Sequence, residues 1–190
     1  MMDSAEKRAV LLTGLSSFFL SISLLYQMAP FFSPYATETA AASPSEVGLV
    51  FAALPAASCL FAVPAGKLIV RIGPKDALAV GLLVLAVSSF MFGMSSTVPG
   101  WLLWRSLQGV AAAPIYSSVS CMFAKAFPGK DEFARVNGLQ EAVANVGFAV
   151  GPWIGGILFH YGGFFWPFGA SAIGHLLFVV VSCLAPDGSP

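Results

Sequence analysis

The sequence predicts an all-α membrane protein: six transmembrane helices laid out as two inverted three-helix sets. Three observations lead there. Of 190 residues, 57% are hydrophobic and 9% charged, where an ordinary soluble domain carries roughly 25% charged residues. Mean hydropathy is +0.84. Six apolar stretches are long enough to cross hydrocarbon, which takes about 20 helical residues for a core about 30 Å thick.

The stretches follow one another with short links rich in helix breakers. A tail, 1–8, ends in Lys7 and Arg8 and leads into the first span, 9–32. Its apolar run is about twice the core of a cleaved secretory signal, so it reads as a retained span. "SPYATETAAASPSE" (33–46) joins it to 48–70, and "RIGPKD" (71–76) leads on to 77–95. "STVPG" (96–100) leads to 101–123, and "AKAFPGKDEFARVN" (124–137) to 138–159. "HYGG" (160–163) leads to 164–184, followed by a tail, 185–190. Pro and Gly in these links stop helices, by removing a backbone donor or by loosening the chain.

Charge gives the orientation. Taken alternately, the links place Lys7, Arg8, Lys67, Arg71, Lys75, Lys125, Lys130 and Arg135 on one side, eight of the nine basic residues. The other side receives Glu38, Glu46 and His160. By the positive-inside rule both termini are expected in the cytoplasm, with the lipid bilayer as the partner of the whole chain. A net charge of zero hides this asymmetry and gives no reason to expect nucleic acid. Cys59, Cys121 and Cys183 fall in apolar runs without metal-ligand spacing, so they read as small buried hydrophobes, and neither metal nor cofactor is expected.

An internal echo supports the two-set arrangement. "GKLIVRIG" (66–73) and "GILFHYGG" (156–163) align Gly66 with Gly156, Leu68 with Leu158 and Gly73 with Gly163. Each closes the second helix of a three-helix set, and the sets enter from opposite sides. Inverted repeats of this kind are a transporter architecture; a chance match in a Gly- and Leu-rich chain is the alternative.

Three stretches carry a family resemblance. "GKLIVRIGPKDAL" (66–78) resembles the helix 2–3 signature of the major facilitator superfamily, G-x-L-x-D-R-x-G-R-K, through Gly66, Leu68, Arg71, Gly73 and Lys75. Val70 stands where that signature has Asp, and Pro74 where it has a basic residue. "RSLQG" (105–109) resembles the helix 4 signature R-x-x-Q-G. "GFAVGPWIGG" (147–156) resembles the helix 5 signature of its antiporter branches, through Gly147, Gly151, Pro152, Gly155 and Gly156. Within the superfamily the chain is similar to the vesicular amine and polyamine transporters, through "AKAFP" (124–128), Val70, and Glu141 ten residues before Gly151. The resemblance implies one half of a major facilitator fold, whose members have about twelve helices in two six-helix halves. It also implies that the latch made by the missing acid at position 70 is weak or absent, and that Arg105 takes part in proton coupling.

The polar residues inside the spans are the candidate site. A charge deep in a bilayer costs roughly 2.5–3.5 kcal/mol, so it faces a bundle interior or a wet cavity. Glu141 and Asn145, four residues apart, share a helix face. Glu141 reads either as a cavity carboxylate, its proton held by desolvation and exchangeable for a cation, or as a structural residue bonded to a neighbouring helix. Gly147, Gly151 and Gly155 form a separate strip that lets another helix come close, and Pro152 loosens the backbone there. Arg105 cannot shed its proton. It reads as a coupling residue or as a lock bonded to the backbone of span 1 or to Gln27, with Gln108 bracing it or touching substrate. Tyr26, Gln27 and Tyr116 read as cation contacts through ring faces and amide, or, for the tyrosines, as interfacial anchors. Trp101 and Trp104 read as interface-belt residues, and His175 as a hydrogen-bonded packing residue or a proton relay. Arg71 and Lys75 can meet a second half or anionic headgroups.

The function expected is secondary transport, by proton-coupled antiport of small organic cations such as amines or polyamines. This chain supplies the N-terminal half, and a second six-helix half or a homodimer partner completes it. The alternative is a truncated, non-transporting membrane protein that associates with or regulates a full-length relative. An intramembrane enzyme is disfavoured, since the sequence holds neither a His cluster nor a paired-carboxylate motif.

Overall fold

The structure, a computed structural model, describes residues 3–184; the expected tail 185–190 lies outside the described residues. Seven helices follow in order: α1 (Ser4–Tyr26), α2 (Phe32–Ala40), α3 (Pro44–Ile72), α4 (Pro74–Met94), α5 (Val98–Ala126), α6 (Lys130–Gly162) and α7 (Phe165–Leu184). All but α2 are long and apolar enough to cross a membrane, which makes the six expected spans.

Local chemistry sets their ends. Asp3 and Glu6 form a capping box at α1, and Ser43 and Glu46 form another at α3, where Glu46 accepts from the Ser43 N–H at 2.8 Å. Each box satisfies amide donors that a helix start leaves free. Pro44, Pro74 and Pro99 sit in first turns, where a missing N–H costs nothing. Gly73, at φ 91°, is the whole joint between α3 and α4. Only glycine takes that conformation without strain.

Two expected links turn out to be helical. Most of α2 falls within 33–46, because Phe32 and Ala36 are fully buried in an aromatic cluster, which outweighs the Ser- and Pro-rich composition. In 124–137 only Phe127, Pro128 and Gly129 interrupt the helices, and α6 starts at Lys130 with Asp131 and Glu132 in its first turn. Acids there complement the helix dipole, so the helix runs on beyond the apolar stretch.

The inverted-repeat relation is visible in the packing. α3 packs along α5 and α6 along α1, while α4 lies against α7 and α1 against α5. Exchanging the first three spans with the last three leaves these pairs unchanged, but turns the close α4–α5 contact into the much slighter α1–α7 one. The core between α1, α4 and α5 is built from Leu82, Leu85, Ile115, Val119, Met122 and Phe123. A second cluster, at the end away from the basic links, gathers Phe31, Phe32, Phe92, Trp101, Phe164 and Phe168. Trp101 is therefore no belt residue. It is fully buried, and its Nε1 donates to the Ser95 carbonyl at 2.9 Å. Its place beside Pro99 and Gly100 imitated a membrane boundary, but α2 folds over it. Trp104 is half-buried against the same cluster.

The spans differ sharply in cover. The most apolar window of α5 is 61% buried and that of α4 56%, but those of α3 and α6 are each 17% buried. α3 and α6 thus flank the bundle with most of their surface outward. Cys59 and Cys183 are exposed and Cys121 half-buried, contrary to expectation. A small hydrophobe gains nothing by leaving lipid, which is as apolar as a core.

Gly151 and Gly155 set the α1–α6 approach. A Cβ at Gly151 would collide with the Ser23 carbonyl, and one at Gly155 with the Gln27 carbonyl. Gly156, next along the chain, has 3.8 Å to the Pro30 ring. Gly151→Ala and Gly155→Ala are therefore expected to destabilise by about 1–3 kcal/mol, as overpacking does. Gly156→Ala is expected to be neutral or stabilising, since alanine favours helix by about 1 kcal/mol. Thermal unfolding in detergent checks the contrast: equal effects at 155 and 156 would remove the close-approach account.

Candidate functional site

The end of α1 is where the polar side chains of the bundle converge. Arg105, 3% exposed on α5, donates Nη2 to the Leu25 carbonyl and Nη1 to Gln108 Oε1, each at 2.7 Å. Gln108 in turn reaches Ser89 on α4 from Nε2 at 3.4 Å. α1 ends at Tyr26, so its last carbonyls have no helical donor ahead of them and are open to a side chain. No carboxylate forms an ion pair with Arg105 among the described residues. Arg105 thus locks α5 to α1 through backbone and not through Gln27, and Gln108 braces it.

Gln27 faces the other way. It is buried and donates Nε2 to Ser171 Oγ on α7. Tyr26 is half-buried, its ring 4.7 Å from that of Phe148 on α6 at 59°. Tyr116 is half-buried too, edge-on to Phe18 at 5.2 Å. Tyr26 closes α1, and Tyr116 lies inside α5.

On α6, Gly147, Gly151 and Gly155 are buried against α1, which turns Glu141 and Asn145 outward. Both are exposed, and Asn145 Nδ2 donates to the Glu141 backbone carbonyl at 2.9 Å. The expectation that Glu141 is enclosed fails within this bundle: the side of α6 that meets α1 is occupied by glycine. Nor does Glu141 meet Arg105. Phe148, 55% exposed, continues its face at i+7. Sequence reasoning passed over Phe148; its register with Glu141 and Asn145 was the available signal. Pro152 does not break α6, which is continuous to Gly162.

The "RIGPKD" joint lies at the basic end. Gly66 and Arg71 are exposed, Val70 is 89% exposed, Gly73 makes the turn, and Lys75 is half-buried. Nearby, Lys7 pairs with Glu132 at 3.8 Å and lies 5.4 Å over the Phe127 ring, tying α1 to the start of α6. His175 on α7 is buried, and neither ring nitrogen has a hydrogen-bond partner. Among the described residues no group of His, Cys, Asp and Glu side chains comes together as a metal site.

The sequence profile of the Major Facilitator Superfamily matches residues 8–190. The chain belongs to that superfamily. It is 32% identical over 149 residues to multidrug resistance protein 1 of Bacillus subtilis, covering 78% of this chain and 37% of that one. It is 31% identical over 141 residues to an uncharacterized MFS-type transporter of Methanocaldococcus jannaschii, covering 74% of this chain and 36% of the other. It is also 29% identical over 143 residues to the quinolone resistance protein NorA of Staphylococcus aureus, covering 75% and 37%. The matched stretch thus spans little more than a third of each relative. As a major facilitator domain, the chain is an integral, multi-pass membrane protein with six spans.

Arg105→Lys tests the lock directly. An ammonium is a point charge without a planar fork and cannot reproduce the paired contacts of a guanidinium. The substitution is expected to cost about 1–3 kcal/mol, the usual penalty for an unmade buried bond. With Gln108→Ala added, the two losses are expected to sum to less than their separate values, because the residues share one network. Additive losses in thermal unfolding would show that Gln108 does not brace the arginine.

Proposed function

We propose that this chain is the N-terminal half of a proton-coupled antiporter that exports organic cations, amines or polyamines among them. One observation carries the proposal: the uncovered face of α6 aligns Glu141, Asn145 and Phe148, with Phe148 against Tyr26 of α1. A charge on an apolar span belongs to a wet cavity or a partner and not to lipid. A carboxylate can hold either a proton or a cation, and the neighbouring rings can meet a cation through their π faces. Arg105 is engaged by Leu25 and Gln108, so it leaves Glu141 free for that exchange. The second six-helix half covers the outward sides of α3 and α6, and the basic links face the cytoplasm.

"AKAFP" (124–128), Val70 and the place of Glu141 favour an amine-type cargo. The drug- and quinolone-resistance names of two relatives favour export of organic molecules more broadly. In a twelve-span transporter carrying this half, Glu141→Gln is expected to bring pH-driven amine uptake by inside-out vesicles to background, with yield and helicity unchanged. Normal uptake by the folded variant would end the assignment. Proteoliposomes holding the 190-residue chain alone are expected to be inactive until a second half is co-reconstituted. Silence after that addition would favour a regulatory, non-transporting role.

A further inference from the structure

The seam between α1 and α7 holds a second group of buried polar side chains, apart from Arg105 and Gln108. Gln27, 1% exposed, bonds through Nε2 to Ser171 Oγ across it, while its Oε1 has no partner. One turn along α7 lies His175, also 1% exposed, with both ring nitrogens unpartnered. Side chains one turn apart are neighbours on a helix, so Ser171, which holds the Gln27 amide, and His175 share one face of α7. Ser17 and Ser21 of α1 are buried with unpartnered hydroxyls as well. A leucine at 175 would fill the space and strand no polar atom, so packing alone does not account for the ring.

No charged group engages it. The helices against α7 are α1, α4 and α6. The ionisable residues of α1 are Glu6, Lys7 and Arg8 at its start, after the cap Asp3, and Tyr26, whose ring packs on Phe148. α4 has Lys75 and Asp76 in its first turn. α6 has Lys130, Asp131, Glu132 and Arg135 at its start, Glu141 exposed along its length, and His160 and Tyr161 at its far end. None is hydrogen-bonded or ion-paired to His175, and Arg105 of α5 is held by Leu25 and Gln108.

We propose that His175 is a gated proton-binding site: the Gln27–Ser171 bond latches α1 onto α7 and keeps the ring dry, and its release admits a proton. The proton adds to the lone pair of the bare ring nitrogen, turning imidazole to imidazolium, and the freed Gln27 Oε1 accepts the new N–H. The same turn of α1 carries the Leu25 carbonyl held by Arg105 and the Ser23 and Gln27 carbonyls under Gly151 and Gly155. Opening the latch therefore disturbs both the arginine and α6.

Diethyl pyrocarbonate, which acylates unprotonated imidazoles, tests this on the purified chain in nanodiscs, read peptide by peptide by mass spectrometry. In the unaltered chain exposed His160 is expected to react and His175 to be protected. Ser171→Ala removes the acceptor and Gln27→Asn shortens the reach. Each is expected to speed labelling of His175 about fivefold or more, the population change for losing one net hydrogen bond, with His160 unchanged. The opened ring's rate is expected to fall on acidification as a proton occupies it. Reaction of His175 as fast as His160 in the unaltered chain, continued protection in folded variants, or a rate indifferent to pH would each overturn the proposal. Folding is read from helical circular dichroism; if one variant fails the other decides, and if both fail the pH profile of the slow labelling in the unaltered chain does. No substrate enters these measurements, so they stand or fall apart from the transport proposal.

Discussion

A guanidinium inside hydrocarbon cannot lose its charge and finds no bulk water, so the protein itself must satisfy it. Arg105 meets that constraint at its two Nη groups, with a carbonyl of α1 and an amide of its own helix, while its Nε has no partner. Much else follows. α1 has to end where its last carbonyls are free, α5 has to run alongside it, and α4 enters through Ser89 behind Gln108. α6 then rests its glycines on the same turn of α1, and α7 reaches that turn through Gln27. Residues 23–27 are therefore the place where α5, α6 and α7 are tied to the first helix, with α4 joined through α5.

The ties are of two kinds. Arg105 and Gln108 are fixed by directional bonds that weaken steeply out of line. The α1–α6 contact is glycine against carbonyl at its centre, flanked by the Tyr26–Phe148 ring pair and the Lys7–Glu132 ion pair. α6 is also the span that carries Glu141 and turns it outward.

Much of this was legible in the sequence, for physical reasons. Six runs of hydrocarbon-spanning length leave little choice about the spans, and the glycine spacing of 147, 151 and 155 announced a close helix contact before its partner was known. The partner of Arg105 was not legible, because it is a backbone carbonyl and every residue has one. α2 was hidden because nine residues of mixed polarity form a helix only when Phe32 and Ala36 are buried. Trp101 misled because a ring beside a breaker resembles an interface anchor until something folds over it. The cysteines misled because "apolar" means inside for a soluble domain, whereas lipid offers a second apolar phase. Glu141 was expected to be sheltered, and the bundle of six helices leaves it exposed.

The account depends on Arg105 lying within a bundle that crosses the bilayer six times. Single cysteines at Asp76, Thr97, Asp131 and His160, placed in a cysteine-free background, measure this through reaction with a membrane-impermeant maleimide in sealed vesicles. Labelling of positions 76 and 131 from one side, and of 97 and 160 from the other, is the predicted result. Labelling of all four from the same side would contradict it, and the reading of the buried arginine would fall with the topology.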